Sequence, residues 1–141
     1  MSRMGERTLP RSLRVGLAGL FVMSCCLLGV TQAPVTSSGG TYVVEWQTVG
    51  DKMPLNKVFD LDVTVLKAAD HKPAEGVKLA VNASMPAHHH GMNVKPVVQQ
   101  TDAGKWLVSG MLFHMPGNWQ ITLEIDNGTG TERVQFDVAV K

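Results

Sequence analysis

Five stretches of this chain alternate apolar and polar residues with a period of two, and that rhythm limits what it can fold into. Tyr42, Val44 and Trp46 alternate with Val43, Glu45 and Gln47, and Phe59, Leu61, Val63 and Val65 with Asp60, Asp62 and Thr64. Val77, Leu79, Val81, Ala83 and Met85 alternate with Lys78, Ala80, Asn82 and Ser84. Trp119, Ile121, Leu123 and Ile125 alternate with Gln120, Thr122 and Glu124, and Val134, Phe136, Val138 and Val140 with Gln135, Asp137 and Ala139. Successive side chains of a strand point to opposite faces, so each stretch carries one apolar face, as half-buried antiparallel strands do. No window sustains a period of 3.6 residues, so no long helix is expected among them.

A sixth stretch, Lys105 to Phe113, is less regular. Trp106, Leu107 and Val108 run together and Gly110 interrupts, which suits a strand with a bulge or a change of sheet. Turn signals separate the strands at Asp70-His71-Lys72-Pro73, Asp102-Ala103-Gly104 and Asp126-Asn127-Gly128, the last a strong hairpin signal. The segment Gly50 to Lys57 fits an edge strand or a loop equally. Six or seven short strands in about 100 residues make an all-β, antiparallel β-sandwich the expected architecture, because two one-sided sheets bury each other's apolar faces.

The chain has 141 residues, and its beginning does not share this pattern. Arg3, Arg7, Arg11 and Arg14 precede an apolar run from Val15 to Val30, followed by Thr31-Gln32-Ala33 and Pro34. A basic start, an apolar centre and a small-residue exit make an export signal, and the run falls short of the roughly 20 residues that span a bilayer comfortably. Three fates fit: cleavage after Ala33, retention as an N-terminal anchor, or lipidation at Cys25 in Val22-Met23-Ser24-Cys25. The domain division expected is 1–33 as signal or anchor, 34–40 (PVTSSGG) as a flexible linker, and 41–141 as one β domain.

Both cysteines, Cys25 and Cys26, lie inside the leader. The exported part therefore has no disulfide and no thiolate, and soft-metal chemistry there must use Met sulfur and His nitrogen. Of the 13 Lys and Arg, four precede the apolar run; the remaining nine face eleven Asp and Glu, giving the exported part a net charge of about −2. Without a basic patch or run, nucleic acid and anionic membrane surfaces are not expected partners.

The chemistry concentrates in Met85-Pro86-Ala87-His88-His89-His90-Gly91-Met92, and the same residue types return in His114-Met115-Pro116-Gly117. Met85 continues the inward parity of its strand and serves equally as a core residue. His88 and His90 are two apart, so in an extended segment they share a side and His89 takes the other; such a pair is a good chelating unit. Met92, Met115 and His114 complete the candidates, if the two segments meet at one end of the sandwich. His71 is expected in solvent, and Trp106 and Trp119 in the core. Thioether with imidazole selects copper, Cu(I) above all; there is no acidic cluster for Mg or Ca and no thiolate or carboxylate to complete a zinc set. No Ser-His-Asp grouping, carboxylate pair beside the histidines or phosphate loop is legible, so no enzymatic activity is expected.

In these residues the chain resembles the YtkA-like/FixH-like domain family. The matching pieces are Met85-Pro86, His88, His90-Gly91-Met92, Gly104 with Trp106, and Met115-Pro116-Gly117 with Trp119, within residues 41–140. His89 stands where that pattern often has Gly, and Trp106 where it often has Tyr. The resemblance implies an immunoglobulin-like β-sandwich, periplasmic or at the outer face of a bacterial membrane. It also implies copper handling linked to assembly of haem–copper oxidases. The function expected is reversible copper binding and delivery; the alternative is a non-catalytic assembly or interaction module for a membrane respiratory or transport complex.

Overall fold

The computed structural model describes residues 32–50 and 52–141. The apolar run at 15–30, and with it the expected signal or anchor, lies outside the described residues. Among those described, no helix is long and apolar enough to cross a membrane.

The described residues form nine strands: β1 (Val35–Thr36), β2 (Tyr42–Thr48), β3 (Val58–Lys67), β4 (Lys78–Met85), β5 (His90–Gly91), β6 (Val97–Asp102), β7 (Lys105–Leu112), β8 (Gly117–Asp126) and β9 (Thr131–Val140). They make two antiparallel sheets, ordered β1-β2-β3-β7-β6 and β5-β4-β8-β9. The period-two alternation decides which face of each strand turns inward. Val44, Leu61, Val65 and Val108 from one sheet and Ile121, Leu123 and Ile125 from the other are each 0% exposed. Each such burial stabilises the fold by about 1.5–3 kcal/mol.

The irregular sixth stretch is a bulged strand. β3 and β7 pair Phe59 with Met111 but Leu61 with Val108, so Ser109 and Gly110 together oppose Asp60. Gly110 has φ 82° and donates its N–H to Asp60 Oδ1 at 3.0 Å. The extra residue resets the parity, so Trp106 and Val108 before it and Met111 and Phe113 after it all point into the core. The segment before β3 is a loop carrying a single parallel bridge, Leu55 to Phe113, with the Asn56 N–H donated to the Phe113 carbonyl at 2.9 Å.

β6 gives no clear signal in the sequence because it has almost no apolar face. It is an edge strand whose residues are exposed apart from half-buried Val98. Along the same flank β4 is covered by β5 only at Ser84 and Met85. Leu79 and Val81 keep inward parity but remain half-buried, opening into a cleft lined by Met92, Val94, Pro96 and Val98. The opposite flank is closed by Trp46 of β2 stacked on Phe136 of β9, ring centroids 4.2 Å apart.

Residues 34–40, expected as a free linker, are held against the domain. Val35 and Thr36 pair with Val44 and Val43, and Ser37 is buried. Its hydroxyl donates to Glu132 Oε2 at 2.6 Å, and the Gly39 and Thr41 N–H groups donate to the same oxygen at 3.1 and 3.3 Å. Small, polar composition alone does not reveal that a carboxylate on β9 supplies the acceptor for these donors. Gly39 is required for this close approach, since a Cβ there would stand 2.5 Å from the carboxyl carbon.

The Ser37 hydroxyl, with Thr41 next, holds the Glu132 carboxyl below its ordinary value of 4.5. A depressed folded value means that the charge stabilises the fold above the unfolded pKa, and that this is lost as pH falls through the folded value. Glu132→Gln should therefore be less stable than wild type at neutral pH, with the gap closing as the solution is acidified below the ordinary carboxylate range. Urea denaturation across pH checks this; a gap that does not change with pH would show that the charge is not involved.

Candidate functional site

The candidate ligands gather at one end of the sandwich, where β4 exits and β7 turns into β8. Pro86–His88 make one 3-10 turn, stopped by His89 at φ 55° and ψ 34° with its N–H on the Pro86 carbonyl at 3.4 Å. The chain then doubles back as β5, pairing His90 with Met85 and Gly91 with Ser84, and the Met92 N–H reaches the Ala83 carbonyl at 3.1 Å. Residues directly opposed across a ladder project to the same face. Met85 points inward, so its partner His90 does too. The tight hairpin thus places an imidazole beside a thioether.

His114 arrives from the other sheet, in the short connection between β7 and β8. Its ring centroid lies 5.1 Å from that of His90, and the His88 ring lies 5.9 Å from His90 on the other side. The two sequence segments therefore meet. His88 and His90 do come together, though through a 3-10 turn between Met85 and His90 and not through an extended segment. His89 is exposed, and so is His71.

Trp119 is the floor of this end. It is fully buried, stacks on Phe113 at 4.7 Å, and meets His90 and His114 edge to face at 5.7 and 5.4 Å. Its indole N–H donates to the Met115 carbonyl at 3.0 Å, which ties the turn carrying His114 to the core. Met85 is 1% exposed and belongs to the core. Its methyl lies against Gly117, where a Cβ would come within 2.8 Å of it. Met92 and Met115 are half-buried against the same core, Met92 where the open flank begins.

Two ring nitrogens stand out. His90 Nε2 and His114 Nδ1 are buried and have no hydrogen-bond partner among the described residues. His90 Nδ1 lies 3.3 Å from the Gly91 carbonyl. A carbonyl can only accept, so in the neutral ring that contact puts the proton on Nδ1 and leaves the lone pair on Nε2. Leaving such a group unpaired costs about 1–3 kcal/mol. Among the described residues no three His, Cys, Asp or Glu side chains form a group placed to hold a metal ion. The contacts run as a chain, His88 to His90 to His114, and do not converge as a trio.

Met53 and Met111 were not singled out by motif. Met53 lies two residues before Leu55, which bridges to Phe113, and Met111 lies two residues before Phe113, so both belong to segments that join beside the turn carrying His114. Counting methionines outside the leader would have raised the question; only the topology places them. Comparisons with protein-family models, curated proteins and solved structures find no match to this chain.

Trp119→Phe removes the donor to Met115 and part of the ring that both histidines touch. It should destabilise the domain by about 2 kcal/mol, combining a lost hydrogen bond and a small cavity. Chemical denaturation measures this, and an unchanged midpoint would show that the turn stands without that bond.

Proposed function

We propose that this domain reversibly binds a soft metal ion, copper above all, at its histidine end and hands it on without catalysing a reaction. The observation that carries the reading is the pair of buried nitrogens without a partner among the described residues, His90 Nε2 and His114 Nδ1, at the end that also carries Met85, Met92 and Met115. Ring centroids 5.1 Å apart are within the span of two imidazoles sharing an ion at about 2 Å metal–nitrogen distances. Met85, paired across the ladder with His90, is one thioether candidate, and Met92 and Met115 are the others. His88 joins the set only if its exposed ring turns inward.

The kinship proposed is with YtkA-like/FixH-like domains, and two features support it. Position 89, often Gly in that pattern, has φ 55°, a region glycine adopts freely and other residues seldom do. The sheet orders β2-β3-β7-β6 and β4-β8-β9 follow those of an immunoglobulin-like sandwich, four strands facing three, with β5 added at the edge. The proposed setting is outside the cytoplasm, in the periplasm or at the outer face of the membrane. A haem–copper oxidase or other membrane protein is the proposed recipient.

Titration with Cu(I) under reducing conditions, against a competing chelator and read by tryptophan fluorescence, tests the reading. Wild type should take up one ion per domain. His90→Ala/His114→Ala should weaken binding by at least about 100-fold, beyond what loss of supporting groups alone does. Stoichiometric uptake that survives in the double variant would sink the ligand assignment.

A second reading, an interaction module with metal incidental, is favoured by the open flank. From Lys78 to Asn82 the outer edge of β4 has no ladder partner among the described residues, and the apolar cleft beside it suits an extended segment added as a strand. Under this reading Val94→Lys, in the cleft lining, leaves the domain folded but abolishes co-purification of a partner from the native membrane fraction. A partner retained by the variant would count against it.

A further inference from the structure

We infer that the three histidines divide the work of the proposed metal site: His90 and His114 are the resident pair, and His88 is the exchange ligand through which an ion enters and leaves. This rests on the metal-binding reading above and goes beyond it by assigning separate roles. His90 and His114 are fixed. His90 is opposed to Met85 in the ladder, contacts the Gly91 carbonyl through Nδ1, and stands edge to face with Trp119, as His114 does. Each has one buried nitrogen without a hydrogen-bond partner among the described residues.

His88 differs in every one of these respects. It is exposed, it lies on a single 3-10 turn outside the ladder, and its ring makes no hydrogen bond among the described residues. Its ring stands 5.9 Å from His90 but makes no ring contact with Trp119 or His114 among those described. The site is therefore graded from the core outward: a thioether at 1% exposure, a half-buried imidazole pair, and one imidazole in solvent. His89 holds this step. Its left-handed conformation costs roughly 1–2 kcal/mol in a non-glycine residue and reverses the chain between His88 and His90.

Transfer of a soft ion between proteins passes through a state bound to ligands of both. An exposed ligand at the rim makes that state reachable without unfolding the pair beneath. Inbound, a bond from His88 to the ion forms as the donor's ligand leaves, and bonds to His90 and His114 then form. Outbound the order reverses, with the acceptor's ligand adding as His88 leaves. The ion stays Cu(I) throughout, and no electron changes hands.

The test uses the whole domain, Cu(I) under reducing conditions and bathocuproine disulfonate as acceptor, with equilibrium competition and stopped-flow transfer measured on the same samples. His88→Ala should keep one ion per domain and an affinity within about threefold of wild type, while transfer slows by at least about tenfold. His114→Ala should lose about 100-fold or more in affinity. His71→Asn, in the exposed turn after β3, where Asn tolerates the left-handed backbone, should change neither. An affinity loss in His88→Ala equal to that in His114→Ala would overturn the division of roles, as would an unchanged transfer rate. Wild type that takes up no Cu(I) removes the metal-binding reading itself, a distinct result.

Discussion

The packing of Trp119 is the interaction on which the rest of the histidine end depends. Phe59 tilts against Phe113 at 5.0 Å, and Phe113 stacks on Trp119 at 4.7 Å, so an aromatic column runs from β3 through the end of β7 into β8. Aromatic rings of this size bury on the order of 150–250 Å² each, enough to decide how the sheets seat on one another. The same indole spends its polar atom on the Met115 carbonyl and presents its ring to His90 and His114. The histidines are held by the core and not by a loop alone.

Most of the fold was legible because burial follows parity. The five regular stretches are β2, β3, β4, β8 and β9, and the interruption at Gly110 is a bulge that turns Met111 and Phe113 inward together. What escaped shares one cause: stabilisation from partners distant in sequence. β6 is an edge with only half-buried Val98 to signal it, and β1 is held through a carboxylate some 95 residues away. At the site, the residue types were readable, while their meeting at one end stood only as a condition that the topology had to supply. The hairpin that opposes His90 to Met85 was not readable, because it hinges on a left-handed residue that is not glycine.

The two ends of the sandwich treat polar groups in opposite ways. Where β1 meets β9, the donors of Ser37, Gly39 and Thr41 all find Glu132. At the other end two imidazole nitrogens are buried with no such answer among the described residues. Native folds rarely leave buried polar atoms unpaired, and those that persist call for an explanation such as a bound ion or water. One end follows the ordinary rule of hydrogen-bond satisfaction, and the other departs from it in the one region rich in soft ligands. That contrast, within a single small fold, is why the metal reading ranks above a structural role for the histidines.

Charge then narrows which ion the proposed site would favour. Neither the 85–92 hairpin nor the 113–119 turn contains a carboxylate or a lysine, so the candidate donors are neutral imidazoles and thioethers. A neutral donor set leaves the full charge of a buried ion uncompensated, and the Born cost of that burial grows as the square of the charge. A divalent ion would therefore be penalised far more steeply than a monovalent one, whatever its intrinsic affinity for nitrogen. Thioethers add little for hard or borderline divalent ions but bind Cu(I) well. Desolvation and ligand softness point the same way, toward a monovalent soft ion as the one the proposed site would favour.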